Sequence, residues 1–211
     1  MYKKLLSLLI LQAALMSPSL YAICDSSDID RDQVSIHCGN TPSATFDARG
    51  NLWVAFVQDE FVYVSQSQDL GKSFSDPVTV NSVAEDAEHN GENRPKIIVD
   101  DRGLVFVSWT LKTSSRFTGE IRFSRSTDGG ENFETPRTIN DDNLFTGHRF
   151  ESLFLADSGH LYLTWVDKRD LEASVEAGED YVGAAIYLSL IHISEPTRLR
   201  RISYAGVCVK K

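Results

Sequence analysis

The sequence predicts an all-β fold built from repeated units of four antiparallel strands. Two observations carry this prediction. A short motif, S-x-D-x-G-x-x-F, begins at Ser67 and again at Ser126, an interval of 59 residues. Apolar stretches that are interrupted by a glycine turn open three successive units, near Pro42, Pro95 and Phe150. A repeat of this size is typical of a supersecondary unit that stacks on copies of itself.

Each unit reads as strand A, a tight turn, strand B, a loop, strand C, the motif and strand D. Runs of β-branched and aromatic residues between glycine and aspartate turns favour strands of this kind. Four antiparallel strands form the blade of a β-propeller. We therefore predict a partial propeller of about two and a half blades, at 41–81, 94–140 and 149–189.

The repeated motif predicts a turn between strands C and D. Glycine adopts positive φ at little cost, and an aspartate carboxylate accepts hydrogen bonds from nearby backbone N–H groups. The motif aspartates are therefore interpreted as structural, with a catalytic or metal-binding role as the alternative. The positions with this structural role are Ser67, Asp69, Gly71, Phe74, Ser126, Asp128, Gly130 and Phe133.

These two motifs resemble the Asp-box, or BNR repeat, of the sialidase-like β-propeller family. The resemblance implies a six-bladed ring and a parent protein that is an exo-α-sialidase, a glycosidase acting on terminal sialic acid or a related acidic sugar. The chain departs from the family because Arg94-Pro95 stands where the family has Arg-Ile-Pro. The family's nucleophilic tyrosine and its glutamate partner lie in later blades, so we expect this chain alone to be inactive.

Both ends of the chain lie outside the repeat. Residues 1–22 have two lysines, an apolar run and a small-residue end, which predict a signal peptide and a secreted or periplasmic protein. The run is too short for a stable membrane span. Segment 23–40 is interpreted as a candidate ring-closing strand. A Cys24–Cys38 disulfide is expected after export, with two free thiols as the alternative.

Residues 190–211 show no blade pattern and contain a cluster of basic residues. The stretch resembles the in-frame translation of a sequencing-library adapter. We interpret it as a non-native tail that carries no functional weight.

The charge of the chain excludes one class of partner. Its formal net charge is −9, and residues 23–187 are acidic and have no basic stripe that could neutralise nucleic-acid phosphates. A glycan or glycoconjugate is the expected partner. No cofactor and no metal site is predicted, and the sequence makes no prediction of oligomeric state.

Strand direction predicts which face carries the binding site. B–C loops and D–A links share one face of an up-and-down blade, and the longer, charged loops lie there, as is typical of binding sites. Arg94 and Arg149 each precede a strand A on this face. We predict that they bind a substrate carboxylate through their guanidinium groups; ion pairs with nearby acids are the alternative.

The third unit adds further candidates on the same face. Asp167 and Asp170 flank two cations and are predicted to act in acid–base catalysis, with a self-paired loop as the alternative. Lys168, Arg169 and His148 are predicted to contact the substrate, and packing is the alternative for His148.

Three hypotheses of function follow. The parent is a sialidase-type exo-glycosidase, a non-catalytic glycan- or protein-binding propeller, or a propeller lyase or hydrolase acting on other sugars.

Overall fold

Three antiparallel sheets follow one another along the chain in a computed structural model that describes residues 34–179 and 183–191. The first two sheets have four strands each and the third has three, and in every sheet neighbouring strands are consecutive in the sequence. The strands are β1 (Asn40–Phe46), β2 (Leu52–Gln58), β3 (Phe61–Ser67), β4 (Val78–Thr79), β5 (Lys96–Val99), β6 (Val105–Lys112), β7 (Gly119–Ser126), β8 (Arg137–Thr138), β9 (His148–Leu155), β10 (Leu161–Asp167) and β11 (Ala185–Ile191). The predicted all-β partial propeller is confirmed.

The third blade differs from the prediction at two places. Its B–C connection, predicted as a loop, contains the helix α1 (Arg169–Ala177). Gly178 ends the helix in the left-handed conformation, and the N–H of Glu179 donates to the carbonyl of Ser174 at 2.9 Å, which satisfies a terminal carbonyl. Strand β11 also continues through Leu190 and Ile191, beyond the predicted end of the blade. Residues 192–211 lie outside the described residues.

Both copies of the repeated motif form the predicted turn. The carboxylate of Asp69 accepts hydrogen bonds from the Ser73 hydroxyl and backbone N–H at 2.7 and 2.9 Å. The carboxylate of Asp128 accepts them from the Asn132 side chain and N–H at 2.8 and 2.9 Å. These bonds lower the pKa of each aspartate to about 2. Both carboxylates are therefore used by their own turns.

Apolar packing between neighbouring blades forms the core. One cluster joins the first and second blades and contains Trp53 and Trp109. A second cluster joins the second and third blades and contains Phe106, Leu163 and Trp165. The three tryptophans are thus inter-blade residues.

The outer face of the first blade is covered by the segment before β1. Val34 and Ile36 pack against a cluster that includes Phe56. Segment 34–38 forms a turn, closed by a 2.9 Å hydrogen bond from the N–H of Cys38 to the carbonyl of Ser35. Cys38 is disulfide-bonded. Cys24 and the predicted signal peptide lie outside the described residues, so the pairing and the ring-closing role stay predictions.

Helix α1 is the one helix among residues 34–179 and 183–191, and it is neither long nor apolar enough to cross a bilayer.

The two motif glycines give a matched test of blade packing. Gly130 and Gly71 have nearly the same φ, 88° and 85°. A Cβ on Gly130 would lie 2.7 Å from the ring of Trp53 in the first blade, whereas a Cβ on Gly71 would lie 3.5 Å from its nearest neighbour. Both substitutions strain the backbone equally, but only the added Cβ at position 130 would collide with a ring. We therefore expect Gly130→Ala to lower the free energy of unfolding by about 1–3 kcal/mol more than Gly71→Ala. Chemical denaturation of both variants measures the difference, and equal losses would contradict the packing described.

Candidate functional site

Loops from neighbouring blades meet at the face that the sequence predicts for binding. The link between the first and second blades is fixed to the first B–C turn, because the N–H of Glu85 donates to the carbonyl of Glu60 at 2.8 Å. The entrance to the third blade lies beside its own B–C connection, because the N–H of Lys168 donates to the carbonyl of Gly147 at 3.1 Å. This face therefore brings together residues distant in sequence.

A β-bulge at the start of β9 positions Arg149. Ser152 pairs with Thr164 and Arg149 with Val166, so that strand β9 has one residue more than strand β10 between these pairs. Phe150, inside the bulge, has a φ of 61°. A bulge redirects the side chains that flank it. The Arg149 guanidinium makes a bidentate ion pair with the Glu88 carboxylate, with Nε at 2.9 Å from Oε2.

Arg94 and Arg149 do not occupy equivalent positions. Counted back from the A–B turns, Arg149 corresponds to Asn93, and Arg94 corresponds to Phe150. Arg94 lies outside β5 and is exposed. Among the described residues it makes no ion pair, in contrast to Arg149. The predicted pair of equivalent arginines is therefore wrong in register, although both lie before or within an innermost strand.

An open cleft of about 400 Å³ lies beside Arg149 and is lined by residues of the second B–C loop. Phe117 is 52% exposed there and has a φ of 65°, which is unusual for a bulky side chain. Three cations surround its ring, at 4.5 Å for Arg116, 5.4 Å for Arg149 and 5.8 Å for Lys168. A strained residue that displays an aromatic ring in a cleft is a candidate for ligand binding.

A buried glutamate, Glu151, lies on the inner strand β9, two residues after Arg149. Glu151 accepts a 2.7 Å hydrogen bond from the Thr110 hydroxyl at one carboxyl oxygen. Its other oxygen has no hydrogen-bond partner and lies 3.9 Å from the Lys96 ammonium group. Burial raises the pKa of Glu151, and this effect outweighs the Lys96 ammonium group and the Thr110 hydroxyl, which lower it. The carboxyl group of Glu151 therefore keeps its proton to a higher pH than an exposed glutamate does.

Asp167, predicted to be catalytic, is fully buried and already accepts several hydrogen bonds. Its Oδ2 accepts from the Trp165 ring N–H at 2.9 Å and from the Arg169 guanidinium at 2.7 Å. His148 is also fully buried, with Nδ1 2.8 Å from the Gly119 carbonyl. Three predicted site residues thus form one cluster within the protein: His148, Asp167 and Arg169.

Asp142 completes this cluster and gives it the spacing of a metal site. One ligand atom each from Asp142, His148 and Asp167 lies within 4.8 Å of the others. The Arg169 guanidinium, however, lies 2.8 Å from Asp142 and 2.7 Å from Asp167. It thus bridges both carboxylates as their cation.

Asp170, the second predicted catalytic residue, lies on the exposed first turn of α1. Both of its carboxylate oxygens are 3.1 Å from the Tyr187 hydroxyl, which donates to them. Burial and the Asp170 carboxylate raise the pKa of Tyr187 to about 12. The Arg169 guanidinium stacks 4.2 Å above the Tyr187 ring. Asp170 thus helps to hold α1 against β11.

Sequence reasoning missed Glu88, Phe117 and Glu151. For Glu151 a signal was present, because the repeat places Pro42 and Pro95 at the corresponding positions of the first two blades. A glutamate where the other two blades have proline indicates a special role. Phe117 lies in a B–C loop and Glu88 in a D–A link. The lengths of these connections differ from one blade to the next, so the repeat offers no such signal there.

No protein-family model matches the chain, and no curated protein sequence matches it either. Solved structures do match. An α-L-arabinofuranosidase of Fusarium graminearum, in complex with an iminosugar inhibitor, has a TM-score of 0.53 at 16% identity over 74% of this chain and 46% of its own. An α-L-arabinanase of Penicillium chrysogenum, complexed with arabinobiose, has a TM-score of 0.53 at 14% identity over 82% and 52%. The chain thus spans about half the length of these structures.

A sialidase-type match is weaker. An intramolecular trans-sialidase of Ruminococcus gnavus has a TM-score of 0.40 at 17% identity over 64% of this chain and 29% of its own, too low to support an argument. At these identities the comparisons show the β-propeller fold alone. The sialidase-like family stays a prediction.

The raised pKa of Glu151 predicts a pH-dependent stability difference. Below the ordinary glutamate value of 4.5 the carboxyl group is protonated in both folded and unfolded chains, and it adds no penalty. As the pH rises above 4.5 the unfolded chain ionises first, so the wild-type protein loses stability. Glu151→Gln has no proton to lose, and its melting temperature should rise relative to wild type between pH 4.5 and 7.

Glu131→Gln, at an exposed position in the second motif, is the control for this measurement. A melting-temperature difference for Glu151→Gln that does not change with pH would show that Glu151 is not held protonated.

Proposed function

We propose that this propeller binds a glycan in the cleft beside Phe117 and that the whole protein is a glycoside hydrolase. The observation that carries the proposal is the exposed Phe117 ring next to the Arg149–Glu88 pair. A sugar ring has apolar C–H groups on its faces and hydroxyl groups at its edge. An aromatic ring packs against the former, whereas guanidinium and carboxylate groups form hydrogen bonds with the latter.

The hydrolase part of the proposal rests on two supports. The fold resembles that of an arabinofuranosidase and an arabinanase, each about twice as long as the matched part of this chain. Glycoside hydrolysis commonly needs one carboxyl group that stays protonated as a general acid. Burial raises the pKa of Glu151, which lies in the β9 bulge two residues after Arg149, and we assign it as the candidate acid.

The state of Arg149 favours a neutral sugar over an acidic one. Its guanidinium is already bound to Glu88 through two nitrogens, so a sugar carboxylate would have to break that ion pair. Sugar hydroxyls can instead bond to the free lone pairs of the Glu88 carboxylate. A neutral glycan that contains arabinose, as arabinobiose does, is therefore the substrate class that we propose.

An exo-α-sialidase is the second candidate, and one observation favours it. Arg94 is exposed on the same face and, like Arg116 and Lys168 at the Phe117 ring, makes no ion pair among the described residues. It remains available for a sialic acid carboxylate. A non-catalytic binding propeller is the third candidate, and it differs from both in binding a glycan without releasing a sugar.

Substitution of Phe117 tests the binding site. Phe117→Ala should weaken arabinobiose binding about tenfold or more, because the ring contact contributes on the order of 1.4 kcal/mol. Phe46→Ala is the matched control: Phe46 is 58% exposed, at the end of β1 beside the A–B turn on the opposite face. Isothermal titration calorimetry gives both affinities. Equal affinities for the two variants would remove the Phe117 cleft as the binding site.

A competition between two sugars tests the substrate class. Because Arg149 is occupied, the protein should bind arabinobiose more tightly than 3′-sialyllactose. Preferential binding of 3′-sialyllactose that Arg94→Ala abolishes would contradict this and favour the sialidase candidate. Chromatography of the products after long incubation with the whole protein separates a hydrolase, which releases arabinose, from a binding module, which does not.

A further inference from the structure

We infer that the Phe117 cleft is one end of a longer groove and that the protein binds an uncharged oligosaccharide chain across it, not a single terminal sugar. The inference rests on the proposed function and adds a second subsite. This subsite is a cleft of about 590 Å³ between the first and second blades, on the same face. Both cleft volumes lie in the range of about 300–1,000 Å³ that is usual for ligand sites.

The second subsite has an apolar floor and polar walls. Val57 and Ala87 are buried at its base, whereas Asp59, Glu60 and His89 are exposed along its sides. The apolar floor can pack against the C–H groups on the face of a sugar ring, and the walls can form hydrogen bonds with the hydroxyl groups at its edge. Asp59 and Glu60 both have positive φ, at 49° and 44°, because they form the two-residue turn between β2 and β3.

One fixed segment separates the two clefts. Ala87 forms a β-bridge with Leu111, and the N–H of Glu88 donates to the carbonyl of Thr110 at 2.7 Å, so the segment is anchored on the second blade. Asp86 lines the second subsite and Glu88 lines the Phe117 cleft. Two residues span at most about 7 Å of chain. The clefts are thus neighbours across a narrow ridge, close enough for one oligosaccharide to enter both.

The top of the ridge does not block such a chain. The Asp86 carboxylate and the Lys112 ammonium group form a 2.8 Å ion pair there, with 58% and 36% of the side chains exposed. An exposed pair of this kind contributes little to stability, typically less than about 1 kcal/mol. Sugar hydroxyls can bond to both groups where the chain crosses from one cleft to the other.

The charges of the second subsite define the chemistry of its ligand. Asp59, Glu60 and Asp86 supply carboxylate oxygens, which accept hydrogen bonds from hydroxyl groups but repel anions. An acidic polysaccharide would place its own carboxylates against them. A neutral oligosaccharide has hydroxyl donors at every unit and no such repulsion.

The dependence of affinity on chain length tests the groove. Calorimetry would use arabinobiose and arabino-oligosaccharides of three to six units with the wild-type protein, with His89→Ala, and with Asn40→Trp, which fills the second subsite. Wild type should bind the longest chain about tenfold more tightly than the disaccharide. Both variants should lose most of this gain, while their affinity for the disaccharide stays within about twofold of wild type, which also shows that they are folded.

The other outcomes separate the two proposals. Equal affinity for all chain lengths, or a gain in affinity that both variants retain, would overturn the groove and leave the Phe117 cleft intact. Absence of binding at every length would overturn the proposed function and the groove with it.

Discussion

Packing of blade against blade is the constraint on which the rest of this structure depends. Each sheet has apolar side chains on both faces, and a sheet of three or four strands cannot bury both by itself. The Trp53–Trp109 cluster and the Phe106–Leu163 cluster supply the missing partners. Because a Cβ added to Gly130 would lie 2.7 Å from the Trp53 ring, the motif turn of the second blade packs closely on that interface.

The candidate site is a consequence of this stacking. When the blades pack, D–A links and B–C connections of neighbouring blades come together at one face, where Glu88 binds Arg149 and Lys168 lies 5.8 Å from the Phe117 ring. Phe117 and Phe150 both have positive φ, which costs about 1–2 kcal/mol for each non-glycine residue. Such strain persists because the packed blades on either side hold the Phe117 loop and the β9 bulge in place. The opposite face has short, regular turns. In these turns the Asp47 and Asp100 side chains accept hydrogen bonds from backbone N–H groups two and four residues further along the chain.

Local sequence signals were sufficient for the elements of the repeat. The glycine turns, the two motifs and the tryptophans obey rules that depend on a few neighbouring residues, and the structure follows them. The helix α1 was missed because Lys168 offers no side-chain cap and the stretch lacks buried residues. Site residues were harder, since their partners lie far away in sequence. Nothing near Arg149 indicates Glu88, 61 residues earlier, and nothing near Asp167 shows that Trp165 and Arg169 occupy its oxygens.

A crystal structure of the protein with arabinobiose bound tests the central claim most directly, namely that the face built by B–C loops and D–A links binds a neutral glycan. The account predicts a sugar ring against Phe117, with hydroxyl groups in hydrogen-bond distance of Glu88 or Arg149. Sugar density at the opposite face, in the cleft lined by Asp101 and Asp157 beside the A–B turns, would contradict it.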